Sequence, residues 1–345
     1  MRQFVKHNGL GLFFGAIFLA SLVGQALVGH ADFNHIQAQH HDDPISLGRY
    51  VFSSDFGVDV MENWQSEYLQ FTLYILMTVW LLQQGSPESK ELGKEGLESD
   101  KEQKVGEHAG AKSPAWARAR GWRQTLYSNS LLVVMTAIWL ASWVASSITG
   151  RVAYNADQFD HQQAAVTWAQ YVATSDFWNR TLQNWQSEFL AVGSMAVLAI
   201  YLRQRGSPES KEPGKEGLES DEDQKVGAHA GAQSPAWARA RGWRQTLYSN
   251  SLLVVMTAIW VASWAASSIT GRVAYNADQF DHQQAAVTWA QYVATSDFWN
   301  RTLQNWQSEF LAVGSMAVFS VYLRHRGSPE SKPVGESHAS TGSSG

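Results

Sequence analysis

The chain has no cysteine among its 345 residues and only eight prolines. Without a thiol there is no disulfide, no thiolate metal site and no cysteine nucleophile. Charge is missing in blocks: no Asp, Glu, Lys or Arg occurs from Asn8 to Gly29, Tyr68 to Pro87, Gln124 to Gly150 or Gln245 to Gly271. Runs of this kind reach the roughly 20 apolar residues that cross about 30 Å of hydrocarbon. Nucleophile elbow, P-loop, GxGxxG and HExxH are absent as well, so neither an enzyme nor a bound cofactor is expected. A formal net charge of −5 without a basic face argues against nucleic acid as a partner.

What is abundant is tryptophan, sixteen in all, several of them near the ends of the apolar runs as in an interfacial belt. Abundant too is repetition. Asn63-Trp64-Gln65-Ser66-Glu67 returns at Asn184 to Glu188 and at Asn305 to Glu309, a constant step of 121 residues. Residues 124–211 and 245–332 differ only at Leu140/Val261, Val144/Ala265, Leu198/Phe319, Ala199/Ser320, Ile200/Val321 and Gln204/His325. Each unit reads as apolar span, polar loop, NWQSE, second apolar span, GSPESK and charged linker, the order expected of a repeat. The expected fold is therefore an all-α integral membrane protein with six transmembrane helices in three tandem hairpins. The hairpins are 1–90, 124–211 and 245–332, joined by linkers 91–123 and 212–244 and followed by a tail, 333–345.

Arg2 and Lys6 precede an apolar run, Gly9 to Val28, longer than the roughly 7 to 15 residues of a signal core, so a retained first helix is expected. The loop from His30 to Glu62 holds one cation, Arg49, against six carboxylates, whereas Ser86 to Arg123 holds eight Lys and Arg. This asymmetry places linkers and termini in the cytoplasm and the NWQSE loops outside. The linkers carry too little apolar surface to order themselves and read as disordered tethers. Their ends mix Trp and Arg, as in Trp116, Arg118, Arg120, Trp122 and Arg123. Either an anchor on anionic lipid or a charge run that fixes topology accounts for that composition.

Trp178, Leu182, Trp185 and Phe189 form one helical stripe, and Arg180, Asn184 and Glu188 another. Only 14 uncharged residues separate Glu188 from Arg203, about 21 Å of helix, so the span must draw Trp185 and Glu188 towards the hydrocarbon boundary. A carboxylate there needs a proton, a hydrogen bond or a partner. Asn63, Glu67, Asn155, His161, Asn184, Glu188, Asn276, His282, Asn305 and Glu309 form the candidate polar site at the outer face. Trp64, Trp116, Trp122, Trp185 and Trp306 are the candidate interface anchors. His30, His35, His40 and His41 with Asp42 and Asp43 offer metal-ligand types, but five-residue spacing does not share a helical face. A solvated loop without a metal is the expectation.

The HNGL string at His7, Leu22-Val23-Gly24-Gln25, Tyr154 to Gln158 with His161, the NWQSE strings and Arg203 to Lys211 together resemble an uncharacterised family of bacterial multi-pass membrane proteins, a domain of unknown function. The resemblance implies two-hairpin members in a bacterial inner membrane and supplies no activity; the third hairpin here departs from it. The expectation is a non-enzymatic membrane protein with structural or partner-binding purpose, its partners being the bilayer and either a second copy or another membrane protein. The alternative is a small proton- or cation-linked transporter or channel using Glu67, Glu188 and Glu309. Convergence of the three glutamates on a shared polar cavity lined by Asn155 and His161 would favour the alternative, and isolation of each at a headgroup-level rim would favour the structural role.

Overall fold

The structure is a computed structural model that describes residues 2–39, 42–81, 90, 96–160, 162–178, 180–182, 184, 185, 188, 189, 192, 221, 222, 227–231, 236, 238–249, 251–281 and 283–340. Among these residues the regular structure is helical throughout, with no strand. The long helices are α1 (Arg2–Gln39), α3 (Ser54–Met77), α5 (Ser130–Asp160), α8 (Ser251–Asp281) and α10 (Ser296–Tyr322). Short helices α2 (Leu47–Val51), α4 (Trp122–Ser128), α6 (Trp168–Tyr171), α7 (Trp243–Ser249) and α9 (Trp289–Tyr292) lie between them. The described residues from 175 to 192 are also helical.

Among the described residues two stretches, His7–Gln39 and Ser130–Phe159, are long and apolar enough to cross a membrane, each with mean hydropathy 2.0. Little of either is covered by protein: 11% of the most apolar stretch of the first is buried and 22% of the second. A core helix of a water-soluble domain buries its apolar face, whereas these present Phe13, Leu19, Val23, Leu140, Val144 and Ile148 outward. Two such helices among the described residues are fewer than the six spans the charge pattern leads one to expect, and most of the expected span 189–202 lies outside the described residues.

The chain divides into two compact bodies, the first made of residues 1–74, 130–190 and 266–322, the second of 75–129, 191–265 and 323–345. In the first, α1 packs along α10, so the first helix of the chain lies against the last. Leu303 sits over Gly24, Val318 over Gly11 and Phe14 over Gly314, each close enough that a Cβ on the glycine would lie 3.1 Å from the neighbour. The GxxxG spacing of α1 is used only in part, since Gly15 has no such neighbour within 4 Å.

The polar loop of each repeat is built the same way. Asn34, Asn155 and Asn276 each clamp the backbone eleven residues on. The Oδ1 of Asn155 accepts from Val166 N at 2.8 Å while its Nδ2 donates to Val166 O at 3.0 Å. Asn276 repeats this on Val287 at 2.8 and 3.0 Å, and Asn34 on Ile45 at 2.9 and 3.1 Å. Thr167 with Gln170, and Thr288 with Gln291, then form capping boxes on α6 and α9. The tyrosine that closes each short helix, Tyr50, Tyr171 or Tyr292, is buried with its hydroxyl against a glycine of the preceding long helix. A Cβ at Gly29, Gly150 or Gly271 would lie 2.4, 2.5 or 2.3 Å from that oxygen, so only glycine fits.

In the second body residues 96 to 121 make turns and side-chain bonds to their own backbone. Arg118 donates from Nη2 to Ser113 O and Ala111 O at 2.6 and 2.7 Å. Val105, Ala117 and Val334 close a small apolar cluster. Few large apolar side chains are needed because guanidinium and serine bonds to backbone carry the turns. The tail joins this stretch, with Gly335 N donating to Gln103 O at 2.7 Å.

Candidate functional site

All three NWQSE strings fall in the first body. Within the string the helical period puts Glu four residues after Asn on one face, with Gln and Trp on flanking faces. Those flanks tie one repeat to the next. Trp185 donates its indole N–H to Gln65 Oε1 at 2.9 Å, and Trp64 donates to Gln307 Oε1 at 3.0 Å. Repeat two thus holds repeat one, and repeat one holds repeat three, by the same pair of side chains. The third member of such a cycle, Trp306 to Gln186, lies outside the described residues. One turn further on, the hydroxyls of Tyr68 and Ser315 lie 2.8 Å apart.

With the registers locked, the glutamates meet. One carboxylate oxygen from each of Glu67, Glu188 and Glu309 lies within 4.8 Å of the others. Glu67 is buried, Glu188 half-buried and Glu309 exposed, so the cluster is closed on one side and open on another. Ser308 Oγ donates to Glu67 Oε1 at 3.3 Å. Three carboxylates at this spacing repel strongly when all are charged and out of bulk water. Protonation of the carboxyls or a nearby cation relieves that repulsion.

Approaching this layer along the same helices is a second ring of charge. Arg180 lies 3.3 Å from Glu62 across repeats and 3.3 Å from Asp176 one turn back. Arg301 pairs with Asp297 at 2.9 Å. Behind these pairs the loop tyrosines supply donors: Tyr171 to Asp176 at 3.3 Å and Tyr292 to Asp297 at 2.9 Å. Burial, then the neighbouring aspartate, pushes both phenols above their ordinary value, so they remain protonated donors. In repeat one Asp59 stands where the others have arginine, and the acidic side of the cross-repeat Arg180 contact comes from Glu62, three residues further on.

The expected site residues therefore separate. Glu67, Glu188 and Glu309 come together. Asn63 turns back to Asp59 O at 2.7 Å, and Asn184 reaches Glu62 O at 3.5 Å. Asn305 is exposed, its carbonyl accepting from Ser308 at 2.9 Å. Asn155 and Asn276 are loop clamps, and His161 and His282 lie outside the described residues. Trp64 and Trp185 act as donors between repeats, Trp306 is half-buried, and Trp116 and Trp122 are exposed. Gln65, Gln307 and Ser308 belong to the site although they were not singled out in sequence. The available signal was that all five letters recur in every repeat, whereas a depth-setting Trp and a braced Glu would not need the Gln.

Fold and site together define a repeat-built helical protein organised round a carboxylate cluster. The chain belongs to the family described as "Domain of unknown function (DUF6766)", whose model matches residues 1–214 and again 204–343. The first match takes in repeats one and two, and the second covers repeat three and the tail. No curated protein and no solved structure matches the chain.

Proposed function

We propose that the chain is a non-enzymatic protein of the bacterial inner membrane, threaded six times as three hairpins with both termini in the cytoplasm, that takes up protons or small cations at the Glu67, Glu188 and Glu309 cluster. The carrying observation is the convergence of one carboxylate from each repeat. The membrane part of the reading is supported by the two long apolar helices and their uncovered side chains, by the charge-free runs of the remaining repeats, and by the excess of Lys and Arg in the linkers. Ionisable groups held at the edge of a membrane span are retained at a cost and mark ion pathways more often than packing contacts.

A purely structural role has one observation in its favour: the Trp–Gln clasps brace the same helices that carry the glutamates. Flux separates the two readings. Proteoliposomes holding the full chain should dissipate an imposed proton or potassium gradient that empty vesicles keep, and the chain carrying Glu67→Gln, Glu188→Gln and Glu309→Gln should not. Wild-type vesicles as tight as empty ones to protons, sodium and potassium would leave only the structural role.

A further inference from the structure

The linker ends remain unused by this site, and they are shaped alike in two places. Gly121 and Gly242 take φ of 67° and 64°, a left-handed turn that starts α4 and α7. Immediately after each turn a tryptophan stands out, Trp122 at 66% exposure and Trp243 at 67%. The next residue folds back over it: the guanidinium carbons of Arg123 and Arg244 lie 5.5 Å from the centroids of the Trp122 and Trp243 rings. Four residues on, Leu126 and Leu247 are exposed beside them. Trp116 adds a second ring edge-on to Trp122, with centroids 6.1 Å apart.

The basic residues of the motif do two different jobs. Arg118, itself exposed, donates to the linker's own carbonyls, and Arg120, Arg123, Arg239, Arg241 and Arg244 are exposed as well. From Pro114 to Asn129 and from Pro235 to Asn250 there is no Asp or Glu to answer them. One residue after each short helix the chain enters a long apolar helix, α5 or α8. An exposed Trp and Leu one turn apart, flanked by arginines, match the layered chemistry of a membrane face: apolar ring and side chain at the acyl boundary, guanidinium at phosphate. A soluble acidic protein would match the charge but not the apolar pair beside a candidate span.

We infer that α4 with its leading turn, and α7 with its own, are paired docking surfaces for anionic phospholipid headgroups on the linker side of the membrane. This rests on the membrane reading proposed above, and a single experiment separates the two. Because the chain lacks cysteine, a nitroxide can be attached to the full-length protein at one introduced site, either Thr125→Cys in α4 or Ala137→Cys within α5. The proteins are reconstituted in phosphatidylcholine vesicles with or without one quarter phosphatidylglycerol.

The label at 125 should read headgroup depth, and its ratio of oxygen to nickel-complex accessibility should rise about twofold when the anionic lipid is present, because juxtamembrane arginines sense surface charge. Adding Arg120→Gln and Arg123→Gln should abolish that rise while the label at 137 stays at hydrocarbon depth, which shows that the variant is still inserted and folded. A label at 137 that reads water overturns the membrane reading itself. A label at 137 in hydrocarbon, with position 125 indifferent to lipid charge or unchanged by the arginine substitutions, overturns the docking surface alone.

Discussion

Trp185 donates its indole N–H to the carboxamide oxygen of Gln65 at 2.9 Å, so two copies of one five-residue string, from different repeats, recognise each other directly. Gln65 is almost fully buried at 1% exposure, and its Nε2 has no partner among the described residues. The Trp bond is thus the contact that satisfies the oxygen of this carboxamide. Trp185→Phe keeps the ring packing and leaves Gln65 Oε1 without its donor, a loss of about 1–3 kcal/mol. Gln65→Leu in the same chain removes the stranded amide and should recover part of that loss. Thermal unfolding of the single and double variants in detergent measures the coupling, and strictly additive effects would show that the two side chains do not act together.

The glycine under each loop tyrosine gives a steric prediction. At Gly150 a methyl group would lie 2.5 Å from the Tyr171 hydroxyl oxygen and 3.2 Å from Cζ. Gly150→Ala should therefore destabilise the loop by about 1–3 kcal/mol through overpacking. Tyr171→Phe should restore most of it, although Asp176 then loses a donor. Hydrogen exchange at the α6 amides reads the effect locally. Equal exchange in wild type and Gly150→Ala would contradict the contact.

His325 offers a pH test outside the proposed spans. The imidazole is buried at 4% exposure and burial pushes its pKa down to about 4. In the unfolded chain it would titrate near 6.5, so between those values the unfolded state binds a proton that the folded state does not. Stability from this group is present above pH 6.5 and falls as pH drops towards 4, by as much as about 3 kcal/mol. Repeat two carries Gln204 at the equivalent position. His325→Gln should flatten this part of the pH profile of the unfolding midpoint, and an unchanged slope would place the titration elsewhere.

Orientation is tested by fusion. A phosphatase or fluorescent reporter placed within 96–112 should behave as cytoplasmic, and one placed in the 162–166 loop as periplasmic. The opposite pattern would invert the arrangement and put the glutamate cluster near the cytoplasmic face.

Much of this organisation is legible in sequence, because its signals are local or periodic. Charge-free length marks α1 and α5, and the step of 121 residues marks the repeats. The stripe Arg180, Asn184, Glu188 follows from helical spacing alone. What periodicity does not carry is which repeat faces which. The Trp185–Gln65 and Trp64–Gln307 bonds join residues 120 and 243 positions apart, close to one and two repeat lengths, and nothing in a single helix announces them. The asparagine clamps are hidden in sequence for a related reason. A carboxamide that recurs near a carboxylate motif looks like part of its site, while its true partner is backbone, which has no sequence signature. The linker's internal bonds have no apolar signature in sequence, because Arg118 and Ser113 build them from polar groups.

The most direct test of the shared carboxylate cluster compares single with combined replacements. Proteoliposomes containing Glu67→Gln, Glu188→Gln or Glu309→Gln alone are measured beside the triple variant and wild type for dissipation of an imposed cation or proton gradient. Residues that serve one site act as a unit, so each single replacement should lower flux nearly as far as all three together. Three losses of about a third each, summing to the triple, would mean three independent carboxylates, and would contradict the convergence on which the proposed function stands.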